Sequence, residues 1–512
     1  MPRVFAFAGV LASTAVLAAS ASAAIPSSIS ALESALRSHA TTCVAVTQQA
    51  LAAIRAGRRL HAVLEVNPDA LAIARRLDAR QTMGQPLLAL QCLPLLVKDN
   101  YETHDRLHTT VGSITMRGFR APKDAYVVAR LRAAGAVELA KTNMDEWAHG
   151  ASGYSSIGGQ TLNALRPTRV PGGSSSGSAV GVAAGMGLLG TGSDTGGSIQ
   201  IPAAYNGIVG LRPTIGLISR GGIAPYSSLT DAPGPLTRTV ADAARVLGTM
   251  TGVDAADPET LRSRGHFLRD YTRFLQPNGL RGARIGVLGR ALGEPLTGFN
   301  RDYDRDFRSA IAAMRGKGAT IVMLPGLKSP GFGEKDLGAI EQPFASELNA
   351  WFASSARGAP VHSLQQVVNV SLRLAVRAKV RVLPALETAL TLPPPHGPAF
   401  EASVAALGRV RAATVRMIKR YRLTAIVFEE RGCPAPPLPR VIDPTYHCKG
   451  DGSIAPILSP ITGLPVLTIP AGRMAGNQRA AINLLGPPWS EGPLLRLGYA
   501  FEQPRGPTSG LG

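Results

Sequence analysis

Several things are scarce or missing in this chain, and each absence closes a reading. Acidic residues are few: 34 Asp and Glu face 54 Lys and Arg, a formal charge of +20. That excess invites nucleic-acid binding. No long basic run accompanies it, however, and no basic-aromatic interleaving; arginines are scattered, as in Arg75-Arg76 and Arg117…Arg120. The charge is read as solvated faces, with no nucleic-acid partner expected, although a basic surface can steer acidic substrates. No stretch beyond the N-terminus is long and apolar enough to span a bilayer: Val180 to Leu189 is short and broken by Gly181, Gly185 and Gly187. No Cys/His cluster has zinc-site spacing, so no metal is expected. No fixed-period repeat is present, and no linker cuts the chain. What is there is globular in composition, with 45% apolar and 17% charged residues in 512, enough to bury a large core.

The N-terminus reads as a secretory signal over residues 1–23. Arg3 supplies the positive start, Val4 to Ala18 is almost wholly apolar or small, and Ala21-Ser22-Ala23 offers small residues for cleavage. The expected location is therefore exported, periplasmic or secreted, with no stable membrane span after cleavage. In that setting the four cysteines, Cys43, Cys92, Cys433 and Cys448, are free to form disulfides. Cys433 and Cys448 share a Pro-rich segment and would close a short loop, but four cysteines allow three full pairings.

Residues 29 to about 80 read as helices, with apolar positions at Leu32, Leu36, Val44, Val46, Ala50 and Ile54. Asp69 is placed to cap the helix that follows Asn67-Pro68. Leu93 to Val97 is a buried-strand run ending at Lys98, Tyr126 to Ala134 a helix, Ala136 to Ala140 the next strand, and Val466 to Ile469 another. Residues 24–512 are taken as one domain, with 255–450, a helical stretch with Pro-rich joints, as the part that sets specificity.

Residues 150–235 are rich in Gly, Ser and Thr. Gly172-Gly173-Ser174-Ser175-Ser176-Gly177-Ser178 has the composition of a linker, but it runs into the small apolar stretch 179–185, which suits a tightly packed helix. Thr191-Gly192-Ser193-Asp194-Thr195-Gly196-Gly197-Ser198 follows. A phosphate loop is excluded because Ser178-Ala179 stands where Lys-Ser/Thr is required. A nucleophile elbow around Ser175 lacks a recognisable acid and His downstream. A Ser-x-x-Lys site is excluded because no lysine has serine three residues before it.

What remains is Lys98 at a strand end, Ser174 in the first Gly/Ser turn and Ser198 in the second. This order and spacing resemble the amidase signature family and its Ser–Ser–Lys triad. The resemblance extends through Lys141-Thr142-Asn143-Met144-Asp145-Glu146, Gly159-Gln160-Thr161-Leu162-Asn163, Gly210-Leu211-Arg212-Pro213-Thr214 and Gly463-Leu464-Pro465. Within the family the chain is most similar to bacterial peptide amidases, through residues 65–71, Glu146-Trp147 and Ser176. Gln200 departs from the Arg that many members carry there.

The resemblance implies an α/β fold, a mixed central β-sheet surrounded by helices. It implies hydrolysis of a carboxamide, with peptide C-terminal amides as candidate substrates and no cofactor. Ser198 would be the nucleophile, passing its proton through Ser174, which follows a cis peptide bond in the family, to Lys98. A lysine acts as base only when neutral, and burial favours the neutral form. Asp99, next along the strand, would point to the opposite face. The backbone N–H groups of Thr195, Gly196, Gly197 and Ser198 would form the oxyanion hole, with Ser175 and Asp194 in support. His104, His108 and His149 are read as polar loop residues. The expected partner is a small-molecule or peptide amide, the protein itself being a monomer or homodimer. Two other functions fit the same motifs: the amidase subunit of a tRNA-dependent amidotransferase complex, and a non-catalytic binding protein on this scaffold.

Overall fold

The structure, a computed structural model, describes residues 25–288, 301–325, 333–373, 379–430, 433–444, 446, 455–473 and 479–504. The signal reading of residues 1–23 lies outside them.

Eleven described strands form one mixed sheet. In chain order the strands are β1 (Val63–Val66), β2 (Pro94–Lys98), β3 (Val137–Thr142), β4 (Tyr154–Ser155), β5 (Gly159–Gln160), β6 (Leu189–Asp194), β7 (Val209–Arg212), β8 (Ala232–Thr237), β9 (Arg284–Val287), β10 (Thr320–Met323), β11 (Ala425–Glu429), β12 (Val466–Arg473) and β13 (Arg479–Leu485). The sheet runs β1-β3-β2-β6-β8-β7-β12-β13-β11-β9-β10, and β4 and β5 form a separate hairpin. β3, β2 and β6 are mutually parallel, as are β11, β9 and β10, and antiparallel strands fill the middle. Helices cover the sheet, in agreement with the expected fold class.

Every residue of β2 and of β3 is buried, as a parallel core covered on both faces requires. That is why Leu93 to Val97 reads as a continuous apolar run, and why a lysine at its end goes inside. The small-residue segment is the helix Ser176–Ala183, all but its last residue buried. Its glycines permit the approach: a Cβ at Gly177 would lie 2.2 Å from the Ala62 carbonyl oxygen, and one at Gly181 would lie 2.5 Å from Leu96 Cδ1.

The stretch 29–80 is not wholly helical. Helices Ile29–Arg37, Cys43–Ala56 and Ala70–Thr82 are interrupted by β1, an edge strand antiparallel to β3. Asp69 holds the N-cap position without capping; its carboxylate pairs with Arg106 at 3.3 Å, and Asn67 Oδ1 takes the Asp69 N–H at 2.9 Å. Residues 255–450 are not wholly helical, because they supply β9, β10 and β11 to the sheet. They also supply the helices Pro343–Ser354, Leu364–Arg373 and Leu383–Thr391, which build a second apolar core of Phe344, Leu348, Phe352 and Leu386 against Met116, Phe119 and Trp147.

Candidate active site

Lys98 ends β2, and its backbone N–H donates to Thr191 Oγ1 on β6 at 2.9 Å. The side chain has no exposure. Its Nζ lies 2.8 Å from Ser174 Oγ, 2.9 Å from Ser193 Oγ and 3.2 Å from the Ser193 carbonyl oxygen. Burial pushes the amine from its ordinary 10.5 down to about 7, against Asp145, Asp194 and Asp231, which hold it up from a distance. Asp99 does turn away. Its carboxylate accepts from Thr110 and Gly112 and faces Lys141 at 3.6 Å, as strand alternation requires.

Ser174 is sealed from solvent and follows a cis peptide bond from Gly173. Gly173 is needed for space, since a Cβ there would lie 1.8 Å from Asp145 Oδ1. Ser175 clasps the opposite loop, its Oγ lying 3.3 Å from both the Ser193 N and O, while its N–H donates to the Ser198 carbonyl at 3.3 Å. The two Gly/Ser turns are thus tied together. Ser198 is 9% exposed, whereas Lys98 and Ser174 are at 0%, so of the three only Ser198 is open to a ligand. No hydrogen bond joins Ser198 Oγ to Ser174 Oγ among the described residues.

Asp194 is a buried cap. Its carboxylate accepts from Gly197 N at 2.8 Å, Ile199 N at 2.8 Å and Gln200 Nε2 at 3.3 Å, and Arg212, also fully buried, lies 3.6 Å from it. Arg212 therefore supplies positive charge beside Asp194 where Gln200 departs from the family pattern. Of the four backbone N–H groups expected to serve an oxyanion, that of Gly197 is engaged by Asp194, whereas those of Thr195, Gly196 and Ser198 donate to nothing among the described residues.

Several neighbours of the site were given no role by the sequence. Asp145 accepts from Ser152 and Gly153, its N–H donates to the Ser174 carbonyl at 3.2 Å, and burial pushes its carboxyl up to about 6. Asp231 takes the Thr195 hydroxyl and the N–H groups of Tyr226 and Ser227. His149 lies in a loop, as expected, but its ring is largely covered: desolvation holds it down to about 4, and it packs 4.3 Å from Tyr226 and 4.4 Å from Phe344. His108 sits 2.9 Å from Glu65, away from the relay.

Cys43 and Cys92 are joined in a disulfide; Cys433 is also disulfide-bonded, and Cys448 lies outside the described residues. Asp78 lies beside the Cys43–Cys92 pair. Its two oxygens take the Cys43 and Val44 N–H groups at 2.6 and 3.0 Å, so this cluster offers no free metal ligand.

A sequence profile of the Amidase family matches residues 45–331. A probable amidase of Arabidopsis thaliana is 33% identical over 87% of this chain and 83% of its own length. A glutamyl-tRNA(Gln) amidotransferase subunit of Thermosynechococcus vestitus is 34% identical over 87% of this chain and 90% of its own length. The crystal structure of native peptide amidase from Stenotrophomonas maltophilia superposes with a TM-score of 0.84 at 35% identity, covering 93% of this chain and 96% of that one. The class so defined is a hydrolase acting on amide C–N bonds. The chain belongs to the amidase signature family.

Proposed function

We propose that this amidase cleaves carboxamides, peptide C-terminal amides among them, through an acyl-enzyme on Ser198 with Ser174 and Lys98 as its proton relay. The observation that carries the reading is the Lys98 amine: fully buried, lowered to about 7, and 2.8 Å from the Ser174 hydroxyl. A neutral amine accepts a proton, and a serine hydroxyl needs such a base to become a nucleophile.

In the proposed route the Ser198 Oγ–H proton passes to Ser174 as the Ser174 proton passes to Lys98. Ser198 Oγ bonds to the carbonyl carbon, and the oxyanion is received by the N–H groups of Thr195, Gly196 and Ser198. Collapse breaks the C–N bond, the relay returns a proton to the leaving nitrogen, and ammonia or an amine departs. Water then attacks the Ser198 ester through the same relay and releases the acid. Substrate binding would close the Ser198–Ser174 hydrogen bond, since such contacts are often long in a ligand-free site. Similarity to peptide amidase supports the choice of substrate. The test is ammonia release from a panel of amides by the purified protein beside Ser198→Ala. Release by the wild type alone supports the relay, whereas equal release by both removes Ser198 from the mechanism.

The relatives among amidotransferase subunits favour a second reading, the same chemistry inside a complex. Under it, the assay would show amide cleavage only when the other components of such a complex are added.

We further infer export, with residues 1–23 removed. Disulfides among the cysteines support an oxidising compartment. The mature protein should begin at Ala24 and titrate no free thiol when denatured; four free thiols would contradict both the pairing and the compartment. The Cys43–Cys92 bond spans 49 residues, so Cys43→Ser with Cys92→Ser should lower stability by about 4 kcal/mol in chemical denaturation.

A further inference from the structure

A cavity of about 340 Å³ opens beside the second Gly/Ser turn, with Ser193, Thr195 and Asn100 at its inner end. Its outer part is framed by residues 220–226 and by the helix Pro343–Ser354. On a chain of charge +20, its charged lining is acidic: Asp231, Asp257 and Glu347 against Arg220. Arg220 is committed to Asp257 through two contacts at 2.6 and 3.0 Å. Asp231 and Glu347 are bound only by hydroxyl and backbone N–H donors, Glu347 taking Ser228 N at 2.9 Å. No basic nitrogen lies within 4.0 Å of either among the described residues, though Arg220 acts on both from farther off.

A second, independent feature points to an occupant. Asn100 is 2% exposed and its Oδ1 has no hydrogen-bond partner, although its Nδ2 donates to Ser193 Oγ at 3.0 Å. A buried acceptor left unfilled carries a desolvation cost that a ligand donor removes. Between these acceptors the walls are apolar, formed by Ile223, Pro225, Pro233 and Ala350. An alkyl stem ending in a cation has this same sequence of surfaces.

We propose that this cavity is a specificity subsite for a cationic side chain of the amide substrate, an alkyl ammonium or guanidinium as in lysyl or arginyl amides. The inference rests on the amide-hydrolase reading, and the cavity meets the second Gly/Ser turn at Thr195. Burial pushes the carboxyls of Asp231 and Glu347 up, and a bound cation would offset that cost. Glu347 acts on binding and not on the reacting bond, so its removal should act through KM.

Nα-acetyl-lysinamide and Nα-acetyl-norleucinamide have side chains of nearly equal length and differ in charge. The wild type should favour the lysinamide by about tenfold in kcat/KM, and Glu347→Gln should reduce that ratio about fivefold, mainly through KM. Calorimetric binding of both compounds to Ser198→Ala gives a readout independent of turnover and should show the same preference, weakened when Glu347→Gln is added. Equal turnover and equal binding of the two compounds, or a ratio indifferent to Glu347→Gln, overturns the subsite and leaves the hydrolase reading standing. Preferential binding of the lysinamide by a protein that hydrolyses neither compound keeps the subsite and overturns the reading. A protein that neither hydrolyses nor binds them overturns both.

Discussion

Lys98 and Lys141 sit near the ends of neighbouring parallel strands, both fully buried, and their surroundings assign them opposite work. Lys141 has a carboxylate, Asp99, at 3.6 Å, and donates to the Tyr101 carbonyl at 2.7 Å and Thr109 Oγ1 at 3.0 Å. Lys98 touches hydroxyls and one carbonyl, and no carboxylate comes within contact among the described residues. A buried ammonium needs a counter-charge. One is present at Lys141, which fits a structural cation. It is withheld at Lys98, which fits a base. The alternation of side chains along β2 makes this division possible, since it sends Asp99 to the neighbour's side.

The comparison breaks first in activity. Lys98→Met should lower kcat/KM by about 10⁴-fold without loss of stability, because an apolar side chain replaces a desolvated amine. Adding Ser174→Ala should cost little more, as members of one relay are not additive. Lys141→Met should do the reverse. It leaves Asp99 buried and unpaired and should cost about 3 kcal/mol or more by denaturant titration, while kcat/KM per folded molecule stays within about tenfold. The third effect is a shift in pH. If neutral Lys98 is the base, kcat/KM falls as pH drops through about 7. Asp145 holds that value up, so Asp145→Asn should move the acid limb to lower pH. A shift to higher pH, or none, would separate Asp145 from the relay.

The cluster of Lys98, Ser174 and Ser198 was legible in the sequence because each sits in a short run with its own pattern: an apolar strand ending in Lys98, and two Gly/Ser turns around a helix too small-sided for anything but burial. The core strands at Val97, Ala140 and Leu467 were readable for similar reasons, whereas β6 was hidden because Thr191 to Asp194 has the composition of a turn. What surrounds the relay was not legible. Asp145, Asp231 and Glu347 reach the site from separate parts of the chain, and only folding brings them together. β1 was hidden because four residues between helices show too little alternation to declare a strand. The covering of the His149 ring was not legible because it comes from Tyr226 and from Phe344, almost 200 positions on. Gly197 was taken for a free donor because nothing local says that the Asp194 side chain folds back onto it. The Cys43–Cys92 pairing depends on the approach of a helix start to the entry of β2, which no spacing rule supplies.

The most direct test of the central claim is to find the acyl group. The protein is mixed with an amide substrate, quenched in acid during turnover, digested and mapped by mass spectrometry. The account predicts an added acyl mass on the peptide carrying Ser198, absent from Ser198→Ala. Turnover with the acyl group on Ser174, or with no acylated serine in the wild type, would contradict it.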